Sequence, residues 1–531
     1  MNLTRIYQLL FLLLLIGYAF YGWAFIQRTS IDLDNQRIYA LFDDAMISMQ
    51  YAKNLAHGDG LVWNAGGEKV EGYSNPLWVM LMAGIHLLPI ALTQTSLYVK
   101  IMSLLFLLLN VIIIKLLVDE FTENQLIPLV AAFLTAFYFP LNNWSLQGME
   151  VGLQALLLSS ALLFGVRALK EKRFSPWPYV LLGLGVLLRM DTAAAAVAAI
   201  AVFAWIDGPR WKDHLIWGLG SIVLTIGGLT VFRLVYYGDW LPNTYYLKLV
   251  GLSTILRISI GLRRFWDFVW LSNWALFAIP IALPALDKRK TLWPLYAVLL
   301  SQVAYSIYVG GDAWEHVGGA NRFIAAAMPI FFALFALTLG EIYELILKAG
   351  KFKSKFGITA GNTFLTIVAI FSLFGFNSLL VQDDVSKWTL REKPVFTESV
   401  ERYALMGLTL HDVTTESATI AVVTAGNIPY FSERTAIDLL GKNDPMIARG
   451  PMHINSSLFE PGNYRPGHNK WNYAYSIGEL QPDVVAQIWE NTDEEAAPYL
   501  EDYELFVIAG IPYYFRKNSP NVIWQNIPPQ E

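Results

Sequence analysis

A series of long apolar blocks, joined by short polar connections and ending before a polar tail, constrains this chain more than any other feature. The blocks occupy residues 6–26, 98–118, 126–141, 151–169, 176–188, 192–205, 215–236, 269–286, 292–309, 323–347 and 356–381. About 20 apolar residues cross a bilayer, so the blocks predict a mainly α, polytopic protein with about eleven transmembrane helices. Helices are required because the backbone polar groups of a spanning segment have no water to bond. Charged residues make up 15% of the chain, against roughly 25% in soluble domains, and the deficit lies in the blocks. The 18 Trp and 26 Tyr suit many membrane–water boundaries. The chain has no Cys, which excludes disulfides, thiolate catalysis and Cys-ligated metals. A net charge of −5 gives no electrostatic ground for binding nucleic acid.

The charges orient these spans. The first block follows Arg5, exceeds a signal-peptide core in length and reads as an uncleaved span with its N-terminus inside. Alternate connections then carry Lys170, Lys172 and Arg173; Arg210 and Lys212; Lys288, Arg289 and Lys290; and Lys351, Lys353 and Lys355. This is the bias expected of cytoplasmic loops. The connection 119–124 departs from it, with only Lys115 nearby. The assignment requires residues 76–90 to lie as a helix at the outer interface. It also requires residues 176–205, interrupted by Arg189 and Asp191, to form a hairpin of two short helices. Residues 1–381 are then the membrane domain, with 27–97 as its long first external loop. Residues 382–531 are an external α/β domain, with strands expected at 419–423, 435–440 and 505–509.

Ionisable groups near a membrane are functional candidates by default, and here they gather on the external side. The first loop opens with Phe42-Asp43-Asp44 and continues into a helical stretch with Ala45, Ile47, Met49, Ala52 and Leu55 at its apolar positions. An Asp pair in this place has two readings. It can cap the helix and satisfy its free N–H groups, or it can supply a general base, with the like-charged neighbour raising one pKa.

The run from Phe42 through Glu71-Gly72-Tyr73-Ser74-Asn75-Pro76-Leu77-Trp78 resembles the first external loop of the GT-C superfamily, the membrane glycosyltransferases that use lipid-phosphate sugars. It is most similar to the mycobacterial terminal arabinofuranosyltransferase family, and more distantly to protein O-mannosyltransferases and aminoarabinose transferases. Further along, Gln147-Gly148-Met149-Glu150 resembles a family motif. Arg189-Met190-Asp191 does too, with Met190 where the family has Pro. The same holds for Tyr236-Tyr237-Gly238-Asp239-Trp240-Leu241-Pro242-Asn243-Thr244-Tyr245-Tyr246-Leu247-Lys248, for Gly310-Gly311-Asp312 with Asn321-Arg322-Phe323, and, in the tail, for Ala425-Gly426-Asn427 through Ile437-Asp438-Leu439-Leu440-Gly441.

The resemblance implies a GT-C fold in a bacterial inner (plasma) membrane, with the site facing the periplasm or cell exterior. It implies transfer of a sugar, arabinofuranosyl or a similar pentose, from a polyprenyl-phosphate donor to a hydroxyl on a glycan or an exported protein. Asp43 is then the favoured base and Asp44 its helper. Arg322, Arg189 and Lys248 are candidates for the departing phosphate, since arginine forks onto phosphate oxygens. Glu71, Tyr73, Asn75, Glu150, Asp191, Asp239, Asn243, Asp312 and His316 are candidates for sugar or acceptor contact. For these the structural alternatives stand beside the functional ones: an Arg189–Asp191 ion pair, Arg322 as an interfacial anchor, an Asx-capped turn at Asp239 and Asn243, and Glu150 at a helix start. No cofactor is certain and a divalent metal is possible, because the ligand spacing is not diagnostic. The rivals are an O-glycosyltransferase acting on a pilin or other exported protein with a different sugar, and a non-catalytic transporter. A transporter predicts ionisable groups through the midplane or inverted repeats, whereas the charges here gather on one face.

Overall fold

The computed structural model describes residues 3–33, 35–315, 321–348, 355–378, 384–454, 459 and 463–529. Helix α1 (Leu3–Arg28) leads into a small antiparallel hairpin, β1 (Ser30–Leu33) and β2 (Gln36–Tyr39). The first loop then forms α2 (Asp43–His57) and α3 (Pro76–His86). The membrane body continues through α4 (Leu92–Asp119), α5 (Leu126–Ala136), α6 (Phe139–Leu146), α7 (Val151–Lys170), α8 (Trp177–Leu188), α9 (Thr192–Ile206) and α10 (Trp211–Tyr236). It then runs through α11 (Asn243–Leu249), α12 (Thr254–Leu271), α13 (Trp274–Ala278), α14 (Leu283–Leu286), α15 (Trp293–Val309), α16 (Arg322–Ala325), α17 (Met328–Lys348) and α18 (Lys355–Ser378). Among the described residues, six helices are long and apolar enough to cross a membrane, or up to eight if each of two bent pairs is one span.

Every apolar block of the sequence contains a helix, but three blocks are not continuous: 126–141, 269–286 and 323–347, the last being split between α16 and α17. Residues 126–141 break between α5 and α6 with a bend of 50°. Tyr138 has extended backbone there and Pro140 stands in the first turn of α6, where its missing N–H leaves no bond unmade. The block at 269–286 is divided among the end of α12, α13 and α14. Helix α12 itself was not foreseen, because Arg257, Arg263, Arg264 and Asp267 interrupt its hydropathy. Arg257 and Arg264 are buried with Ile260 and Phe268, whereas Trp266, Trp270 and Trp274 form an outward stack with interplanar angles of 20° and 13°.

The short helices α8 and α9 pair as a hairpin, with Arg189 at the break, as its charge suggests. In the first loop, α2 is buried well beyond the apolar positions of its sequence, since Ser48, Gln50, Lys53 and Asn54 are buried too. These groups bond inside the protein: Gln50 and Asn54 donate to main-chain carbonyls of Val62 and Trp63. Buried polar groups need such partners. On α3, Met80 is exposed, as are Leu87 and Leu88 just beyond its end.

The tail begins with α19 (Asp384–Trp388) and α20 (Thr397–Val413), followed by β3 (Thr419–Val422), α21 (Asn427–Ser432), β4 (Thr435–Asp438) and α22 (Pro445–Arg449). The chain then adds β5 (Val484–Val485), β6 (Tyr503–Ile508) and β7 (Ile511–Arg516). The five strands form one sheet in the order β4-β3-β5-β7-β6, with β3 parallel to β4 and β5, and with β7 antiparallel to β5 and β6. Strands β5 and β7 were not anticipated, the former because two residues carry no periodic signal. The first loop seals the β4 edge. The Asn64 side chain accepts from Ala436 N–H at 3.0 Å and donates to Ala436 C=O at 2.9 Å, as a neighbouring strand does.

Candidate active site

Helix α2 starts where the first loop meets the tail. Phe42 anchors this point: its N–H bonds the Gln147 carbonyl at 2.9 Å, and its ring packs against Trp144, Trp314 and Phe396. Asp43 and Asp44 occupy the first turn, but neither caps it, and the N-cap Phe42 has no side-chain bond to the helix. The two carboxylates diverge. Asp43 turns to the tail, where Oδ1 accepts from the Asn427 N–H at 2.8 Å and Nδ2 at 3.2 Å, and Oδ2 accepts from the Gly426 N–H at 3.2 Å. Burial pushes its pKa up to about 6, against the lowering effect of the Asn427 N–H. Asp44 turns the other way. Its Oδ2 accepts from Arg322 Nη1 at 2.8 Å and its Oδ1 from Lys442 Nζ. Burial alone raises a carboxylate, yet Lys442, Arg322 and Lys248 hold Asp44 well below its usual range. Adjacent residues of one type thus have opposite electrostatic settings, the pattern expected of groups with different tasks.

A polar pocket opens beside Asp44. Tyr73, Asn75, Glu150, Arg189, Lys248 and Arg322 line it with Lys442. Arg322 forks onto Asp312 through Nε and Nη2, both at 2.7 Å, and its guanidinium lies over Trp144. Asn321 positions it by accepting from the N–H groups of Phe323 and Ile324 at the start of α16. Arg189 bonds Glu150 at 2.5 Å and Asp191 at 2.7 Å, and lies over the Phe323 ring. Asn75 donates to Glu150 at 2.9 Å and accepts from Ser48 at 2.9 Å. Glu150 therefore faces Arg189 and Asn75, and makes no side-chain cap to α7. Four cationic side chains and two carboxylates form the lining, so cations dominate the surface an anion would meet, while Asp191 and Asp312 behind the arginines bring the local count to four charges of each sign.

Of the residues singled out in the sequence, Asp44, Tyr73, Asn75, Glu150, Arg189, Lys248 and Arg322 come together here. Asp191 and Asp312 stand behind the two arginines and fix them. Glu71 forms a buried ion pair with Arg233 at 2.6 Å, outside the pocket lining. Asn243 donates to the carbonyls of Gly441 and Lys442, both at 3.0 Å, and so holds the turn that presents Lys442. Asp239 bonds Arg449 and Tyr246 at a more exposed position. His316 lies outside the described residues. Among the described residues, no group of three or more His, Asp or Glu is arranged to hold a metal ion. The oxygens of Asp44 and Asp312 accept from Lys442 and Arg322.

Sequence reasoning missed Lys442 and the part played by Gly426 and Asn427. The tail motif ending at Gly441 stops one residue short of Lys442, and nothing local marks that lysine as facing Asp44. On the tail side of the Asp pair lies a cavity of about 450 Å³, bounded by both carboxylates, Trp314, Tyr403, His468 and Trp489.

The chain has the fold of the GT-C membrane glycosyltransferases. Among solved structures it is similar to ArnT from Cupriavidus metallidurans bound to undecaprenyl phosphate, with TM-score 0.56 and 12% identity over 98% of this chain and 99% of that one. The apo form of that protein gives TM-score 0.55 and 14% identity over the same shares. The archaeal oligosaccharyltransferase AglB from Archaeoglobus fulgidus, in complex with an inhibitory peptide and a dolichol-phosphate, gives TM-score 0.51 and 11% identity over 96% of this chain and 74% of that one. Residues 76–230 match the family described as dolichyl-phosphate-mannose-protein mannosyltransferase. Residues 395–521 match a domain of unknown function, DUF8728. No curated protein sequence matches the chain.

Proposed function

We propose that this protein transfers a glycosyl residue from a polyprenyl-phosphate donor to an acceptor hydroxyl at the outer face of a bacterial inner membrane. The observation that carries the reading is the division at Asp43-Asp44: a carboxylate with pKa about 6 on the side of the large cavity, and a cation-rich pocket on the other. Asp43 accepts the acceptor hydroxyl proton as that oxygen bonds the anomeric carbon. A base with a pKa near the working pH suits this step. The bond from the anomeric carbon to the phosphate oxygen breaks, and its electrons stay on the polyprenyl phosphate. Arg322, Arg189, Lys248 and Lys442 meet that charge. Asp44 holds Arg322 and Lys442 in register for it. The pocket residues Tyr73, Asn75 and Glu150 offer hydrogen-bonding groups to the sugar. The proposed donor is an arabinofuranosyl or similar pentose, which rests on the likeness of the first loop and of the Asp239–Lys248 stretch to the terminal arabinofuranosyltransferases.

The test is transfer from radiolabelled polyprenyl-phospho-arabinose in membranes carrying the parent or the Asp43→Asn, Asp44→Asn double variant. Label reaching an acceptor with the parent alone supports donor, reaction and acid pair together. Equal transfer by a correctly inserted double variant overturns the catalytic reading. If neither transfers, polyprenyl-phospho-hexoses replace the pentose donor in the same assay.

A further inference from the structure

The tail contains a device that the transfer reading does not itself explain. From β3 the chain passes through α21 to β4 on one side, then returns across the sheet to β5 on the other side of β3. The strand order therefore reverses between β3 and β5. In open α/β sheets such a switch point leaves a crevice beyond the carboxyl ends of the strands, and ligands bind there. In this protein the large cavity lies at those carboxyl ends. Val423 to Ala425 follow β3, Leu440 and Lys442 follow β4, and Ala486 to Trp489 follow β5, and all of these border it. Gln487 fills the base of the crevice: its Oε1 accepts from the N–H of Val423 at 3.1 Å and from the N–H and hydroxyl of Thr424, each at 2.8 Å. Asp43 borders the same cavity, held by the Gly426 and Asn427 N–H groups just after the β3 end.

The walls have a definite chemistry. Trp314, Tyr403, Trp489 and Tyr514 offer aromatic surface, while Arg465 and Glu490, paired at 3.1 Å, offer planar polar groups. His468 stands between Trp314 and Trp489, with ring centroids 5.2 and 5.6 Å away, and its buried Nδ1 has no hydrogen-bond partner among the described residues. Burial and the nearby Lys442 keep that imidazole neutral, pushing it down to about 3, so it accepts as well as donates. Aromatic rings against C–H faces, with planar amide, guanidinium and carboxylate groups for hydroxyls, match a sugar, which is apolar on its ring faces and polar at its rim. A second cavity, of about 280 Å³, shares Arg465, His468, Trp489 and Glu490 with the first and reaches Trp471, whose ring stacks on His453 at 4.0 Å. The two cavities meet across Trp489, so the surface extends beyond one sugar ring.

We infer that the tail is an acceptor-recognition module and that its ligand is a glycan chain. The chain end lies at the β3–β5 switch point, with its hydroxyl toward Asp43, and the preceding sugars run past Trp489 to Trp471. The orientation rests on the transfer reading, whereas the glycan site itself does not.

The full-length protein, purified in detergent micelles, is titrated with linear α-(1→5)-arabinotetraose, maltotetraose and cellotetraose and with the matching monosaccharides. Binding is read from intrinsic tryptophan fluorescence and calorimetry. At least one tetrasaccharide is expected to bind about tenfold or more tightly than its monosaccharide. Trp489→Ala is expected to weaken it by about tenfold. Trp489→Phe, which keeps an aromatic face, returns affinity to within about threefold of the parent and so separates recognition from collapse of the tail. Binding of none of the tetrasaccharides, binding indifferent to Trp489→Ala, or transferred label released on peptides by protease would overturn the inference. Tetrasaccharide binding without any consumption of polyprenyl-phospho-sugar leaves the glycan site standing and removes the transfer reading.

Discussion

At the scale of single residues, the instructive pair is Asp43 and Asp44, neighbours in sequence with opposite environments. The raised pKa of Asp43 has a sign that can be checked. Its folded value, about 6, lies above the ordinary 3.8, so the folded state binds the proton more strongly between those limits. Stability therefore falls as pH rises through about 3.8 to 6, and an ionised Asp43 is kept at a cost to the fold. The same titration predicts that kcat/KM for transfer declines below about pH 6 with a slope of one in a logarithmic plot, as the base takes up its proton. Lys442 lowers both carboxylates. Lys442→Met is expected to move the acid limb to higher pH and to reduce transfer by about 10²-fold, the scale of a lost charge-stabilising donor. An unmoved limb would show that Asp43 does not govern the profile.

Among the elements, the decisive contact is the meeting of α2 with the turn before α21. Gly426 has an ordinary negative φ of −105°, so its requirement is for space. A Cβ there would stand 2.1 Å from the Asp43 carbonyl oxygen and 2.8 Å from Met46 Cβ. Because backbone cannot yield as a flexible side chain does, Gly426→Ala must part the tail from the first loop. The expected outcome is a correctly inserted protein with transfer reduced by about tenfold or more and with faster cleavage by a protease added from outside. Unchanged transfer would mean that tail docking is not needed for the site. The sequence marked this segment through its likeness to a tail motif, but not the approach of two backbones, which is a property of packing alone.

For the whole molecule, the membrane body fixes which groups share a side. Arg173 is exposed in the connection after α7, and Glu494 is exposed in the tail. The absence of cysteine makes single-cysteine reporters clean. With the proposed orientation, a membrane-impermeant maleimide labels Glu494→Cys in cells whose outer envelope alone is opened, and labels Arg173→Cys only after the inner membrane is breached. The reverse pattern would place the Asp pair on the cytoplasmic side and rule out a lipid-linked donor presented from outside.

The sequence by itself determined the apolar blocks, the hairpin of short helices marked by Arg189, and the gathering of ionisable residues in the first loop. These are sums over neighbouring residues or local patterns, and hydropathy reads them directly. Helix α12 escaped that reading because it buries Arg257 and Arg264 and turns its tryptophans outward, and β5 escaped because two residues have no period. Only the tertiary structure decided which charges face one another. Asp44 meets Arg322 from 278 positions away and Lys442 from 398. Pairs so distant leave no periodicity or spacing in a single chain, and their geometry exists only once burial has brought the loop, the helix ends and the tail together.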